Sequence, residues 1–419
     1  MTAFYYKDSE LYVENVSVAR IAEEIGTPFY LYSEAALRAQ MQAFFSAAEK
    51  RLKSYSICFA VKSNANPSII KVLASMGAGA DIVSGGELLL SLKAGIPAEK
   101  IVFSGVGKTY ADLEAAVDYN IGQINLESAE EADMLERIAA EKGKKVRVAV
   151  RVNPDVDAHT HHKITTGKKE NKFGIAWREA RPLYQRLMKT ENLIPVGIDV
   201  HVGSQILEKE PFEQAFDRAA GLVRMLKEDG IDLRTIDVGG GLGVPYRNTD
   251  ISFTPDEYMS VAAEKLGGLN CKIIFEPGRF LSAPAGVLVS RVVRVKHTEN
   301  KDFLVLDAGM NDLIRPAIYD AYHNVRSVKQ AENAKAYDVV GPICESSDVF
   351  GKDRMLPEMR PEDLVVLETA GAYGSSMGSN YNFRPLCAEV LVKGDAFAVV
   401  RRRQTFEEMM ALTVSAPWL

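Results

Sequence analysis

Between residues 56 and 276, short apolar runs rich in β-branched side chains alternate with longer stretches whose apolar positions recur at helical spacing. The runs cover 56–61, 80–83, 101–104, 122–126, 146–152, 196–202, 235–238 and 272–275. Each is apolar enough to be a strand buried on both faces, as strands of parallel sheets are. The stretches between predict helices over Gly86–Ala94, Tyr110–Tyr119, Ala129–Lys142, Trp177–Thr190, Pro211–Asp229 and Pro255–Leu266. Another helix is expected to open at Pro67, before Ile69, Ile70, Val72, Leu73 and Met76, since proline is favoured at a first helical position. Eight strands in such a span, close to the roughly 250 residues of the fold, predict an α/β (β/α)8 TIM-like barrel. An open doubly wound sheet would give the same alternation.

The pattern changes on both sides of that span. Val287–His297, Phe303–Asp307, Tyr337–Gly341, Leu364–Glu368 and Glu389–Arg401 read as strands with turn residues between them and few helices. At the other end, Leu11–Val13 and Pro28–Tyr32 are strand-like, with a short helix expected over Ser17–Ile25. Ser33 is placed to cap a helix over Glu34–Lys53 with an apolar stripe of Leu37, Met41, Phe44 and Phe45. The division expected is a barrel at 36–280 inserted into a mainly antiparallel β domain made of 1–35 and 281–419.

Composition alters this picture little. The chain has 419 residues, 47% hydrophobic and 25% charged, with a formal net charge of -6. That balance gives no basic footprint for nucleic acid or an anionic membrane surface. No apolar run approaches the length of a membrane span, and Met1–Asp8 lacks the pattern of a secretory leader, so the cytoplasm is the expected location. Cys58, Cys271, Cys344 and Cys387 lie far apart, without metal or redox spacing.

Candidate chemistry concentrates where the predicted strands end, the face on which barrel enzymes build their sites. Those positions hold Lys62, Asp81 to Ser84, Ser104-Gly105, Glu127, Arg151, His201 to Ser204, Gly239 to Gly241, and Glu276 to Arg279. A lysine at such a place can serve as a nucleophile towards a carbonyl or pyridoxal phosphate; alone, it fits an ordinary surface loop better. Gly239-Gly240-Gly241-Leu242-Gly243, following Asp237-Val238, lets backbone N–H groups approach an anion. With Glu276-Pro277-Gly278-Arg279 after the next strand, it occupies the recurrent phosphate position of these barrels. A carboxylate such as Glu276 can favour a protonated pyridine nitrogen, or form a plain salt bridge. Arg315 and Tyr319 can bind a carboxylate. Cys344, beside Glu345 in a Pro/Gly turn, is a candidate for exposed chemistry. The His159, His161, His162 cluster sits in a polar, lysine-rich stretch (155–172) without matching carboxylates or cysteines, so a mobile lid is expected there rather than a metal site.

Taken in order, Phe59-Ala60-Val61-Lys62-Ser63-Asn64, His201-Val202-Gly203-Ser204-Gln205, Gly239–Gly243, Glu276–Arg279, Cys344-Glu345-Ser346 and Gly371-Ala372-Tyr373-Gly374 resemble the motifs of the fold-type III pyridoxal-phosphate-dependent decarboxylases. The resemblance covers nearly the whole chain and implies the alanine racemase / ornithine decarboxylase-like architecture. It implies that Lys62 links covalently to pyridoxal phosphate, with Asp81 near it and His201 against the ring. Ser204, Gly240, Gly241, Gly278, Arg279 and Tyr373 would hold the phosphate, and Glu276 would pair with the pyridine nitrogen. Arg279, Arg315, Tyr319, Glu345 and Tyr373 would bind substrate. Cys344 would be the proton donor, reaching with Glu345 into the site of a second copy in a homodimer. Two arginines and a glutamate suit a substrate with an amino-acid head at its far end, such as meso-diaminopimelate. Carboxynorspermidine, ornithine and arginine remain alternatives, as does a non-catalytic regulatory homologue. A racemase would be expected to carry arginine in place of Glu276.

Overall fold

The computed structural model describes residues 3–156, 172–247 and 249–419. Of the stretch expected as a lid (155–172), residues 157–171, with its three histidines, lie outside those described. The chain forms two compact units: Arg38–Pro245 with Ile251–Leu281, and Met1–Leu37 with Tyr246–Asp250 and Ser282–Leu419.

In the first unit eight parallel strands close on themselves: β1 (Tyr55–Ala60), β2 (Gly79–Ile82), β3 (Ile101–Phe103), β4 (Gln123–Leu126), β5 (Val146–Arg151), β6 (Leu193–Asp199), β7 (Thr235–Asp237) and β8 (Lys272–Phe275). Pairing of Phe275 on β8 with Ile57 on β1 completes the ring and excludes the open sheet. This is the barrel that the periodicity predicts. Several helix starts are set by side-chain caps, which makes those boundaries readable. Asn66 accepts the Ser68 N–H at 2.9 Å before Pro67, and Thr109 with Asp112, and Thr254 with Glu257, form capping boxes. Each such cap satisfies backbone donors that the first helical turn leaves unpaired.

Strand β6 departs from expectation at both ends. It begins at Leu193, before Pro195, because a register shift between Pro195 and Gly197 accommodates a residue that cannot donate to the ladder. It ends at Asp199, so His201 lies in the following loop. Phe275 packs edge-on against Phe44 (6.0 Å between ring centroids) and Tyr258 (5.6 Å). These rings fix the carboxyl end of β8, immediately before Glu276.

The second unit is mainly antiparallel. Its sheet runs Val349–Pro357, Ala334–Val340, Asp302–Leu306, Gly286–His297, Phe29–Ser33, Ala388–Lys393, Ala396–Arg401, with Leu364–Leu367 also paired to Gly286–His297 and Val325–Ser327 to Leu364–Leu367. Phe29–Ser33 is wholly buried. It pairs antiparallel with Gly286–Val289 and parallel with Ala388–Val392. A core of Val13, Ile21, Phe29, Leu31, Val289, Val366 and Val390 lies against it. The stretch read as one strand over Glu389–Arg401 is a hairpin, turning at Gly394, whose φ of 58° is left-handed. Among the described residues, no helix is long and apolar enough to cross a membrane.

Candidate active site

Lys62 sits just beyond β1, in a single 3-10 turn over Val61–Ser63. Ser63 Oγ donates to the Ala60 carbonyl at 2.8 Å, and the Asn66 N–H donates to Asn64 Oδ1 at 3.0 Å, so the turn is held at both ends. Asp81 lies opposite Ala60 in the β1–β2 register. Its Oδ2 accepts from Lys62 Nζ at 2.5 Å, and the Asp81 side chain is fully buried while that of Lys62 is 36% exposed. Asp81 Oδ1 has no hydrogen-bond partner among the described residues. A buried carboxylate therefore fixes an amine that solutes can reach.

Three more buried acids stand at successive strand ends: Asp199, Asp237 and Glu276. Burial pushes Glu276 well above the usual carboxylate range; Asp237, Asp81 and Asp199 reinforce the shift and Lys62 opposes it. Burial likewise raises Asp237 to about 7, against a hydrogen bond from the Gly239 N–H at 3.0 Å. Asp199 is raised well above its ordinary value by burial and by Asp237, while Arg151 opposes the shift. These acids are organised from β4 and β3. Asn125 Nδ2 donates to Ser104 Oγ at 3.1 Å and to Asp237 Oδ2 at 3.3 Å, and Ser104 Oγ lies 3.5 Å from Glu276 Oε1. Arg151 is nearly buried, 3.1 Å from Glu127 Oε1 and 3.8 Å from Asp199 Oδ2, with its guanidinium over the Phe173 ring.

His201 accepts the Gly240 N–H on Nδ1 at 3.2 Å, which places its ring proton on Nε2. Burial holds its pKa well below the ordinary value, and Arg151 and Lys62 push the same way. It is a neutral imidazole at pH 7. The adjoining glycines are required by close packing. A Cβ on Gly239 would stand 2.4 Å from His201 Nδ1, and one on Gly240 would stand 2.4 Å from the Glu276 carbonyl oxygen. Gly241 has a left-handed φ of 108°, and a Cβ on Gly278 would meet Ala60 and Ser63 at 3.0 Å. Arg279 is buried and donates to Ser204 Oγ at 3.0 Å. The barrel thus brings together Lys62, Asp81, His201, Ser204, Gly240, Gly241, Glu276, Gly278 and Arg279.

The remaining candidates, Arg315, Tyr319, Cys344, Glu345 and Tyr373, belong to the second unit. Arg315 opens a five-residue helix, Arg315–Tyr319, and is buried. It donates to His323 Nε2 at 2.8 Å, and His323 Nδ1 in turn donates to the Glu368 carbonyl at 2.8 Å. The Tyr246 ring lies under the guanidinium, 5.0 Å away. Cys344 and Glu345 are exposed on a loop built around Asp348, whose carboxylate accepts N–H bonds from Met310 and Ile343, each at 2.7 Å. Ser347 Oγ donates to Glu345 Oε1 at 2.7 Å. Tyr373 holds a left-handed φ of 54°, costly for a tyrosine and a mark of functional loops.

Asp199, Asp237 and Asn125 carried no assigned role from sequence, yet they organise the barrel acids. Their signal was present in Gly197-Ile198-Asp199-Val200 and Thr235-Ile236-Asp237-Val238, where a lone acid interrupts a buried strand. Burying such a group is expensive unless it is paired or takes up a proton.

The profile described as "Pyridoxal-dependent decarboxylase, pyridoxal binding domain" matches residues 38–283. A Pseudomonas aeruginosa protein named diaminopimelate decarboxylase is 49% identical over 412 residues, covering 98% of each chain. The crystal structure of diaminopimelate decarboxylase from Helicobacter pylori, complexed with L-lysine, is similar with a TM-score of 0.91 at 42% identity, over 94% of this chain and 98% of that one. That of the M. jannaschii diaminopimelate decarboxylase, also with L-lysine, gives a TM-score of 0.94 at 34% identity, over 100% and 99%.

Proposed function

Because the chain belongs to the pyridoxal-dependent decarboxylase family, we propose that it removes CO2 from meso-2,6-diaminopimelate to leave L-lysine, the last step of lysine biosynthesis. The observation that carries this reading is the conjunction, at one end of one barrel, of Lys62 held on buried Asp81 with the protonatable carboxyl of Glu276. That donor set fits pyridoxal phosphate: an amine for its aldehyde, a carboxyl for its pyridine nitrogen, and glycine loops with Ser204 and Arg279 for its phosphate. When bound, the cofactor supplies a sink for the electron pair left as the carbon–carboxylate bond breaks.

The residues have separate tasks. Lys62 would hold the cofactor through its amine, and Asp81 would keep that amine in place. Glu276, whose burial favours its protonated form, would keep a proton at the pyridine nitrogen when the cofactor is bound. Neutral His201 would pack against the cofactor ring without adding charge. Arg279, Arg315, Tyr319 and Glu345 receive the far end of the substrate, with guanidinium groups on its carboxylate and Glu345 on its ammonium. Tyr373 serves phosphate and substrate. Cys344 delivers the proton to the α-carbon.

The barrel part, 36–280, holds the cofactor in this reading, while 1–35 and 281–419 supply substrate and interface residues. A cytoplasmic homodimer is proposed in which Cys344 and Glu345 complete the site of the neighbouring copy. Their exposure, beside exposed Tyr381 and Phe383, supports that arrangement.

The test is CO2 release from meso-diaminopimelate, carboxynorspermidine, ornithine and arginine by the cofactor-loaded protein. Release from diaminopimelate well above the others is expected, and preference for a diamine precursor would overturn the substrate. Lys62→Ala should lose both turnover and the visible absorbance of lysine-bound cofactor.

A further inference from the structure

Strand Val349–Pro357 is irregular in a way that its sheet does not require. Tyr337 pairs with Arg354 and Val339 with Gly351, so the strand bulges at Lys352-Asp353, where Asp353 takes a left-handed φ of 52°. The bulge folds the Arg354 guanidinium back over Gly351, and a Cβ there would stand 2.1 Å from Arg354 Nε. Glycine at 351 is what allows the arginine this position.

The guanidinium carbon of Arg354 lies 3.9 Å from the centre of the Tyr322 ring, and that of Arg247 lies 4.0 Å from the same centre. One aromatic ring therefore anchors two cations, each positioned by its apolar face with N–H donors left along the edge. Among the described residues, Arg247, Lys352 and Arg354 form no ion pair, and the buried Nε of Arg354 has no hydrogen-bond partner. They border a cavity of about 410 Å³ with Tyr322, Ser346 and Ser347, and Asp320 is the one carboxylate in its wall. Burial and the neighbouring Arg247 both lower the pKa of Arg354, against a contribution from Tyr322. Three cations line a space typical of small-ligand sites with one acid in its wall, Lys352 acting also on the Asp338 carboxylate outside it, and the cavity itself carries an excess of positive charge.

We propose that this cavity binds a small dianionic oxyanion, of the phosphate or dicarboxylate class, on the guanidinium edges of Arg247 and Arg354 with Lys352 and the hydroxyl of Ser346. A guanidinium fork matches either anion with paired charge-assisted hydrogen bonds. None of its residues belongs to the proposed cofactor cradle, and its occupancy does not depend on the reaction assigned above.

The experiment is calorimetric titration of the cofactor-loaded protein, whose phosphate cradle is already filled, with inorganic phosphate and, separately, succinate. Ionic strength is held constant with chloride. Saturable binding of at least one anion is expected, and the stronger arm identifies the source. Arg354→Gln and Arg247→Gln should each weaken it roughly tenfold or more, the scale of one charge-assisted hydrogen bond. Gly351→Ala keeps every charge but displaces the Arg354 guanidinium, and should also weaken binding. Heat-unfolding midpoints in chloride alone identify any variant that fails to fold. Absence of binding by wild type, as when a neighbouring copy covers the cavity, overturns the proposal. So does undiminished binding in folded Arg354→Gln and Gly351→Ala proteins.

Discussion

Asp237 joins the network around Glu276 to the backbone of the glycine loop: one carboxyl oxygen accepts the Gly239 N–H and the other accepts Asn125. Its pKa, raised by burial from 3.8 to about 7, has a thermodynamic consequence. Between those values the folded chain keeps a proton that the unfolded chain has released. The stability this group contributes is therefore complete below about pH 4 and lost as pH rises towards 7, at up to about 1.4 kcal/mol per pH unit. Denaturant unfolding of the cofactor-free protein checks this. The stability of wild type relative to Asp237→Asn should fall between pH 5 and pH 7, and a constant difference would show that the proton is not held there. Lys62 and Glu276 were legible in sequence because each is a charge directly after an apolar run. Asp237 and Asp199 were not, because an acid within the run reads as part of the strand.

Loops at the strand ends are built with no slack. The Gly239–Gly241 turn crosses between His201 and the Glu276 carbonyl at distances that leave no room for a methyl group. Gly240→Ala must displace backbone rather than a flexible side chain. A loss of roughly 1–3 kcal/mol in stability is expected, the usual range for overpacking, together with weaker retention of pyridoxal phosphate in a cofactor titration. Unchanged retention would remove this turn from the cofactor site. Regular elements were readable where one physical signal dominated, as in the capping boxes at Thr109 and Thr254. Elsewhere signals competed. The apolar run begins only after Pro195, yet Pro195 sits at a register shift inside β6. Val349–Pro357 is a nine-residue strand whose Gly, Lys, Asp and Arg hide its periodicity. Gly394 divides what looked like one long strand.

Across the whole molecule, the barrel follows from local alternation, but the order of strands in the second sheet does not. Nothing near Phe29–Ser33 indicates that its neighbours are Gly286–Val289 and Ala388–Val392. Those partners are chosen by burial over long chain separations, which a local pattern does not encode. Removing residues 388–419 should leave this apolar strand with an open edge, a template for association with other chains. Such a truncated chain is expected in the insoluble fraction on expression. A soluble product with the unfolding midpoint of the full chain would show the edge to be dispensable. The same arrangement governs the order of events at the ribosome. Residues through Leu281 hold all eight barrel strands, whereas Phe29–Ser33 meets its last partner only about 360 residues after it is made. At roughly 5–20 residues per second, the strand waits on the order of 20–70 s. By the end of that interval the nascent chain carries a completed barrel sequence and one apolar segment whose last edge is still open.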